Sequence, residues 1–159
     1  RVLWDGENVL FEGKTKRAQT PSFLLDKLQD MFPPDIFKNN ALPPLCLYGE
    51  GYGAKIQKGG GNYIPDGCSF ILFDVFIDNM WLERHNVEDI ANKLNIKVVP
   101  IVFTGTLVEA IETVKQGFKS LLRNTPPEGL VMKPQVELSN RRGERVITKL
   151  KAKDFGIKT

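Results

Sequence analysis

Histidine and cysteine are nearly absent from this chain of 159 residues, which carries one of the first and two of the second. The lone His85 has no Ser or Cys at a spacing that suggests a partner. Hydrolase triads are therefore set aside, and His85 reads as a surface or loop residue. Cys46 and Cys68 form no C-x-x-C pair or other metal-ligand spacing, and two cysteines make no disulfide framework. Both read as reduced, structural thiols of a cytoplasmic protein. No apolar run approaches the roughly 18 residues of a membrane span and no signal peptide is visible, so no membrane partner is expected. Repeats and low-complexity tracts are missing too. The net charge of +3 is too small for wholesale electrostatic coating of a polyanion.

What is present is an ordinary globular composition, long enough for one domain with a substantial core. The distribution of charge says more than its sum. Residues 141 to 159 hold seven basic side chains against Glu144 and Asp154, and Lys14, Lys16 and Arg17 make a second knot near the start. Either cluster alone reads as a solvated face; phosphate ligands are the alternative.

Along the chain, "RVLWDGENVLFEGKT" reads as a hairpin around a Gly-containing turn. "PSFLLDKLQDMF" has helical periodicity, opened by Pro21 and ended by Pro33 and Pro34. Leu45 to Tyr48 reads as a short strand entering a Gly-rich loop, "GEGYGAKIQKGGGNY". "CSFILFDVFID", apolar on both pleat faces, predicts a central buried strand. "NVEDIANKLN" predicts a helix and "IKVVPIVF" a strand. "TLVEAIETVKQGFKSLL" opens with a Thr106/Glu109 capping box, and its apolar stripe runs through 107, 108, 111, 114, 118, 121 and 122. A strand beginning at Gly129, the turn "NRRGE" and a last strand "RVITKLKAK" complete an α+β chain with antiparallel hairpins at both ends.

The last strand carries the clearest chemical signal. Alternation puts Arg145, Lys149, Lys151 and Lys153 on one face with Ile147. Lysines in line repel one another unless solvated or met by an anion, so the strand is either a lysine-guarded edge or a phosphate site. Glu128 lies just before the preceding strand. A carboxylate and several ammonium groups around one volume suit nucleotide chemistry, with a metal on the first and phosphate on the others. "LYGEGYGAK" lacks G-K-[ST], and no helix follows it, so the phosphate-loop and Rossmann readings both fail. It leaves Glu50 at a strand end, either on a ribose hydroxyl or as a turn residue. "FILFDVF" reads as core by composition, although one ring could form a pocket wall for a purine.

Taken in order, "YGEGYG", "FILFDVF", "EGLVMKP" and "TKLKAKDF" resemble four collinear motifs of the covalent nucleotidyltransferases, the superfamily of ATP- and NAD-dependent ligases and mRNA capping enzymes. The nearest resemblance is to the RNA ligase family typified by the second RNA ligase of phage. It implies an adenylation domain over residues 1–159, α+β and ATP-grasp-like, with antiparallel and mixed sheets flanked by helices. Under it Glu50 binds the ribose and Phe73 stacks on adenine. Glu128 engages a catalytic Mg²⁺ or Mn²⁺, and Lys149 and Lys151 contact the α-phosphate. Lys133 closes the fourth motif, but its parity is opposite to that of Glu128. It shares the site only if Gly129 forms a bulge or the strand twists. Arg17 matches an arginine that handles the nucleic-acid end, with Lys14 and Lys16 beside it.

The family's first motif, Lys-x-Asp/His-Gly, is not in the chain; "WDGEN" has Asp-Gly without the lysine. The resemblance places that nucleophile just upstream of Arg1. ATP is thus the expected cofactor and RNA ends the expected partners, with DNA ends the alternative, in the host cytosol if the gene is a phage's. A DNA ligase or capping-type core, and a non-catalytic end-binding module, remain the rival readings.

Overall fold

The computed structural model describes residues 1–15, 18–123 and 125–157, and the chain divides into two compact units, Arg1–Val99 and Pro100–Thr159. The first is built on a mixed sheet. Strands β1 (Val2–Trp4) and β2 (Val9–Phe11) form the expected hairpin, whose turn is tied by Asp5 Oδ1 accepting from the backbone N–H of Glu7 and Asn8. β1 pairs with β3 (Leu45–Gly53), and β3 pairs along its length with β4 (Cys68–Ile77). The far edge of β4 carries β5 (Met80–Trp81), antiparallel, and β6 (Lys97–Val98), parallel. Asp78 and Asn79 both take positive φ in the tight β4–β5 turn, which Asp and Asn tolerate better than branched residues.

Helices α1 (Ser22–Met31), α2 (Pro34–Asn39) and α3 (Arg84–Lys93) contribute to this unit's core. Leu24 and Leu28 of α1 and Phe37 of α2 pack with Val2, Trp4, Leu47, Phe70, Leu72 and Val75. Trp4 stacks on Phe37 at 5.0 Å and donates its indole N–H to Leu42 O at 3.0 Å, so its polar atom is satisfied inside the core. Two prolines end α1 as expected, but Pro34 also starts α2, where its fixed φ suits a first helical turn. His85 lies on α3, exposed, 3.6 Å from Glu83. Burial pushes the Cys46 thiol pKa up, in keeping with an inert thiol.

Two expectations change here. The glycine-rich segment through Gly53 is strand, not loop: β3 runs nine residues and carries Glu50 in its middle. Its glycines serve close packing. A Cβ on Gly49 would strike the Phe70 ring and the Ile71 carbonyl, and one on Gly51 would lie 2.6 Å from Leu24. The expected "IKVVPIVF" strand stops at Val98, after which Val99 N–H still reaches Leu72 O but Pro100 has no N–H to continue the ladder.

The second unit has helix α4 (Leu107–Gln116) and a ribbon of β7 (Gly129–Met132) with β8 (Thr148–Lys151), followed by a 3₁₀ turn, Ala152–Phe155. Ala110 and Val114 of α4 bury Leu130 and Ala152, with Phe103, Phe118, Leu150 and Phe155 around them. The apolar stripe is therefore narrower than the sequence suggests. Leu107 and Val108 are exposed, and Gly117, at φ 76°, ends the helix before Phe118. The last strand is also shorter than expected. Ala152, buried beneath α4, turns the chain into the 3₁₀ segment, which removes Lys153 from the lysine row.

The predicted capping box forms. Thr106 Oγ1 accepts from Glu109 N–H at 3.3 Å, and Glu109 Oε2 accepts from Thr106 N–H at 2.6 Å. The Thr106 hydroxyl also donates to Glu109 Oε2 at 2.9 Å, and the bonds that the carboxylate accepts from Thr106, the backbone one first, hold the Glu109 carboxyl below the usual carboxylate range. A carboxyl with a lower pKa folded than unfolded adds stability that is complete above its unfolded pKa. That stability is lost as pH falls through the folded value. Thr106→Ala should lower the unfolding free energy by about 1 kcal/mol at neutral pH. The gap to the wild type should narrow on acidification through the carboxylate range, as thermal unfolding at stepped pH would record.

Candidate functional site

In the first unit, the alternation Gly-Glu-Gly within β3 sets the position of Glu50. Gly49 and Gly51 pair with Leu72 and Phe70 on the core face, so Glu50, paired with Ile71, belongs to the opposite face and is exposed. Glu50 and Lys14 both line a cavity of about 190 Å³, together with Arg1, Phe11 and Glu12. Two residues predicted separately from the sequence thus meet at one concavity. Lys16 and Arg17 lie outside the described residues.

Phe73 owes its position to a bulge. Tyr48 pairs with Asp74 but Gly49 with Leu72, so Phe73 is the extra residue that the β3–β4 register skips. The core face accordingly shifts from Phe70 and Leu72 to Val75. Phe73 stays 36% exposed in an otherwise buried central strand, without an aromatic partner among the described residues. The expectation that this strand is buried on both faces fails at this residue, the one proposed to hold a base. Beside it Asp74 is a buried charged side chain, 8% exposed.

In the second unit, Lys151 pairs across the ribbon with Gly129 and Lys149 with Val131, and both lysines are exposed. Directly paired residues share a face, so the lysines stand opposite the Leu130–Leu150 pair that packs under α4. Glu128 O accepts from Ala152 N–H at 2.9 Å, which continues the ladder without a bulge. The backbone parity of Glu128 is therefore that of the helix side, although its side chain is 60% exposed and lies 3.9 Å from Arg123. Gly129 is strained into φ 147°, but no register shift brings Lys133 to the parity of Glu128.

Lys133 Nζ meets Glu137 Oε1 at 3.1 Å, and Arg145 grips the same carboxylate through two nitrogens at 2.6 and 3.0 Å. Glu137 was not singled out from the sequence. Its partners are set by the hairpin that follows, in which Val146 N–H reaches Leu138 O, and no spacing rule announces that register.

No group of three His, Cys, Asp or Glu side chains able to hold a metal exists among the described residues. The donor set does fit Mg²⁺ or Mn²⁺ bound by one carboxylate, Glu128, with phosphate oxygens and water completing the shell.

The RNA ligase family profile matches residues 6–151. Among solved structures, two variants of Naegleria gruberi RNA ligase with ATP and Mn are 20% identical, with TM-scores of 0.65 and 0.67 over 97% of this chain. An apo variant of the same ligase gives 0.65 over 98%. At that identity the likeness is one of fold, and it bears out the expected α+β fold. The chain spans 46% of those structures, about half their length. Among curated proteins no sequence matches it significantly. The family match runs from the β1–β2 turn to the last residue of β8, nearly the whole chain, and the chain therefore belongs to the RNA ligase family.

Proposed function

We propose that the protein carrying this chain is an ATP-dependent RNA ligase that joins 5′-phosphate to 3′-hydroxyl ends. A lysine amine attacks the ATP α-phosphorus, forming a P–N bond and releasing pyrophosphate. The AMP passes to the RNA 5′-phosphate, freeing the lysine. The 3′-hydroxyl then attacks that phosphate, forming the phosphodiester and expelling AMP. The attacking lysine is not assigned to a residue of this chain.

The observation that carries the reading is the pair Lys149 and Lys151, held side by side on the exposed face of the β7–β8 ribbon. Two ammonium groups on one strand face would stabilise charge developing on the α-phosphate and depress the pKa of a nearby lysine from its ordinary value of about 10.4. Glu50 would accept from the ribose hydroxyls, and Phe73, exposed at its bulge, would stack on adenine. Lys133, steadied by Glu137, has the parity of Val131 and so of the paired Lys149, and from that side it would hold a further contact to the nucleotide. Glu128 would hold the divalent metal, which when bound neutralises phosphate charge. Lys14, with Lys16 and Arg17, would receive the nucleic-acid end.

The test is incubation with α-labelled ATP and Mg²⁺ or Mn²⁺. A covalent product heavier by one AMP, chased into a sealed strand by 5′-phosphorylated RNA, is the expected result. No adduct under any nucleotide or metal would overturn the reading in favour of an end-binding module. An adduct from GTP alone would move it to a capping-type enzyme, and sealing confined to DNA ends to a DNA ligase.

A further inference from the structure

The turn Asn140–Glu144 takes no part in the scheme above, yet it is built with care. Asn140 Oδ1 accepts from the N–H of Arg142 at 2.9 Å and of Glu144 at 3.0 Å, and Asn140 N–H donates to Glu144 O at 2.8 Å. Gly143, at φ 78°, supplies the left-handed residue that closes such a loop. Below the turn, Ser139 bridges Arg145, whose guanidinium is clamped on Glu137.

These contacts use up the nearby acids. Glu137 is taken by Lys133 and Arg145, and the Glu144 carboxylate receives the Asn140 amide at 2.7 Å. Arg141 and Arg142 are left exposed on a fixed turn, without an acidic partner among the described residues. Arg1, Arg84, Arg123 and Arg145, by contrast, all face a carboxylate. The backbone bonds fix the turn that carries these two adjacent guanidiniums, so an anion meeting them need not order the loop itself.

We propose that the Arg141–Arg142 turn is a contact for the phosphodiester backbone of RNA, used in joining and not in reaction with ATP. This rests on the ligase reading. The chemistry points to phosphates and not to bases, because residues 133 to 153 contain no Phe, Tyr or Trp on which a base would stack. The contact is therefore independent of sequence, and each phosphate it neutralises releases counterions. A polyanion also fits the stretch as a whole, since Lys149, Lys151 and Lys153 follow in the same unit.

The experiment compares the wild type with the double variant Arg141→Gln/Arg142→Gln, with Arg141→Lys/Arg142→Lys as the charge-keeping control. AMP-adduct formation and thermal unfolding should be unchanged in both. Affinity for a 5′-phosphorylated RNA, read by fluorescence anisotropy over a salt series, should fall about tenfold in the Gln pair. The slope of log K against log salt should drop by about 1.4 to 1.8, the value for two phosphates. The Lys pair should recover most of both. Unchanged RNA affinity and slope would overturn the proposal, as would a matching fall in adduct formation, which would assign the turn to the ATP reaction. Loss of binding to an acidic peptide alone would also overturn it, in favour of a protein partner. A wild type that binds RNA with the expected slope but forms no adduct would sink the ligase reading and leave the contact standing.

Discussion

Lys149→Ala and Lys151→Ala should each reduce AMP-adduct formation by about 100- to 1,000-fold, the usual effect of removing one group that stabilises developing charge. Both side chains are exposed on the outer face of β8, so neither change should move the melting temperature by more than a degree or two. That separation is the diagnostic: chemistry lost, fold kept. A second readout is the pH dependence. Each lysine removed takes a positive charge away from the attacking amine, whose pKa then rises, so the pH of half-maximal adduct formation should move upward. Activity within tenfold of the wild type and an unmoved pH profile would mean that the lysine row only guards an exposed strand.

Gly129→Ala should be the most damaging single change to the second unit. Its φ of 147° is a region that residues with a Cβ rarely adopt, and a Cβ there would strike the Leu150 carbonyl and come within 2.9 Å of Lys151 Cα. Both obstacles are backbone, so no rotamer relieves them. The ribbon would have to open, loosening the Leu130–Leu150 pair from Ala110 and Val114. A loss of about 2–4 kcal/mol follows, a fall on the order of 10 °C in melting temperature. Gly61→Ala serves as the control, because nothing lies within 4 Å of its added Cβ and its φ needs no glycine. Calorimetry on the two variants checks this; equal melting temperatures would show that β7 and β8 do not approach so closely.

The two variants also separate what Gly129 and the lysines contribute. Gly129 allows the close approach of β7 to β8 that holds Lys149 and Lys151 in a fixed row. Lys149→Ala removes a charge from that row, whereas Gly129→Ala disturbs the row itself. The second should lose adduct formation together with stability.

Local chemistry in the sequence was enough for the hairpin at Asp5–Gly6, the helix between Pro21 and Pro33, and the Thr106/Glu109 box on α4. In each, the signal and the structure lie within one turn of each other. Motif order was enough for the family, because Glu50, Phe73, Glu128, Lys149 and Lys151 keep their sequence order whatever the chain does between them.

Other features depended on partners distant in the chain. Gly49 and Gly51 read as loop residues until Phe70 and Leu24 are seen pressing on them from β4 and α1. Phe73 reads as core until the β3–β4 register skips it. The parity of Glu128 and Lys133 was legible, but not that Gly129 would take its strained φ without a register shift. Glu137 found its two cations only when the 138–146 hairpin closed. Motif order thus determined the family of this chain and, through it, the chemistry proposed for it. Which side chains are free to perform it was decided by packing and strand register, because a pairing shifted by a single residue exchanges the buried face for the exposed one.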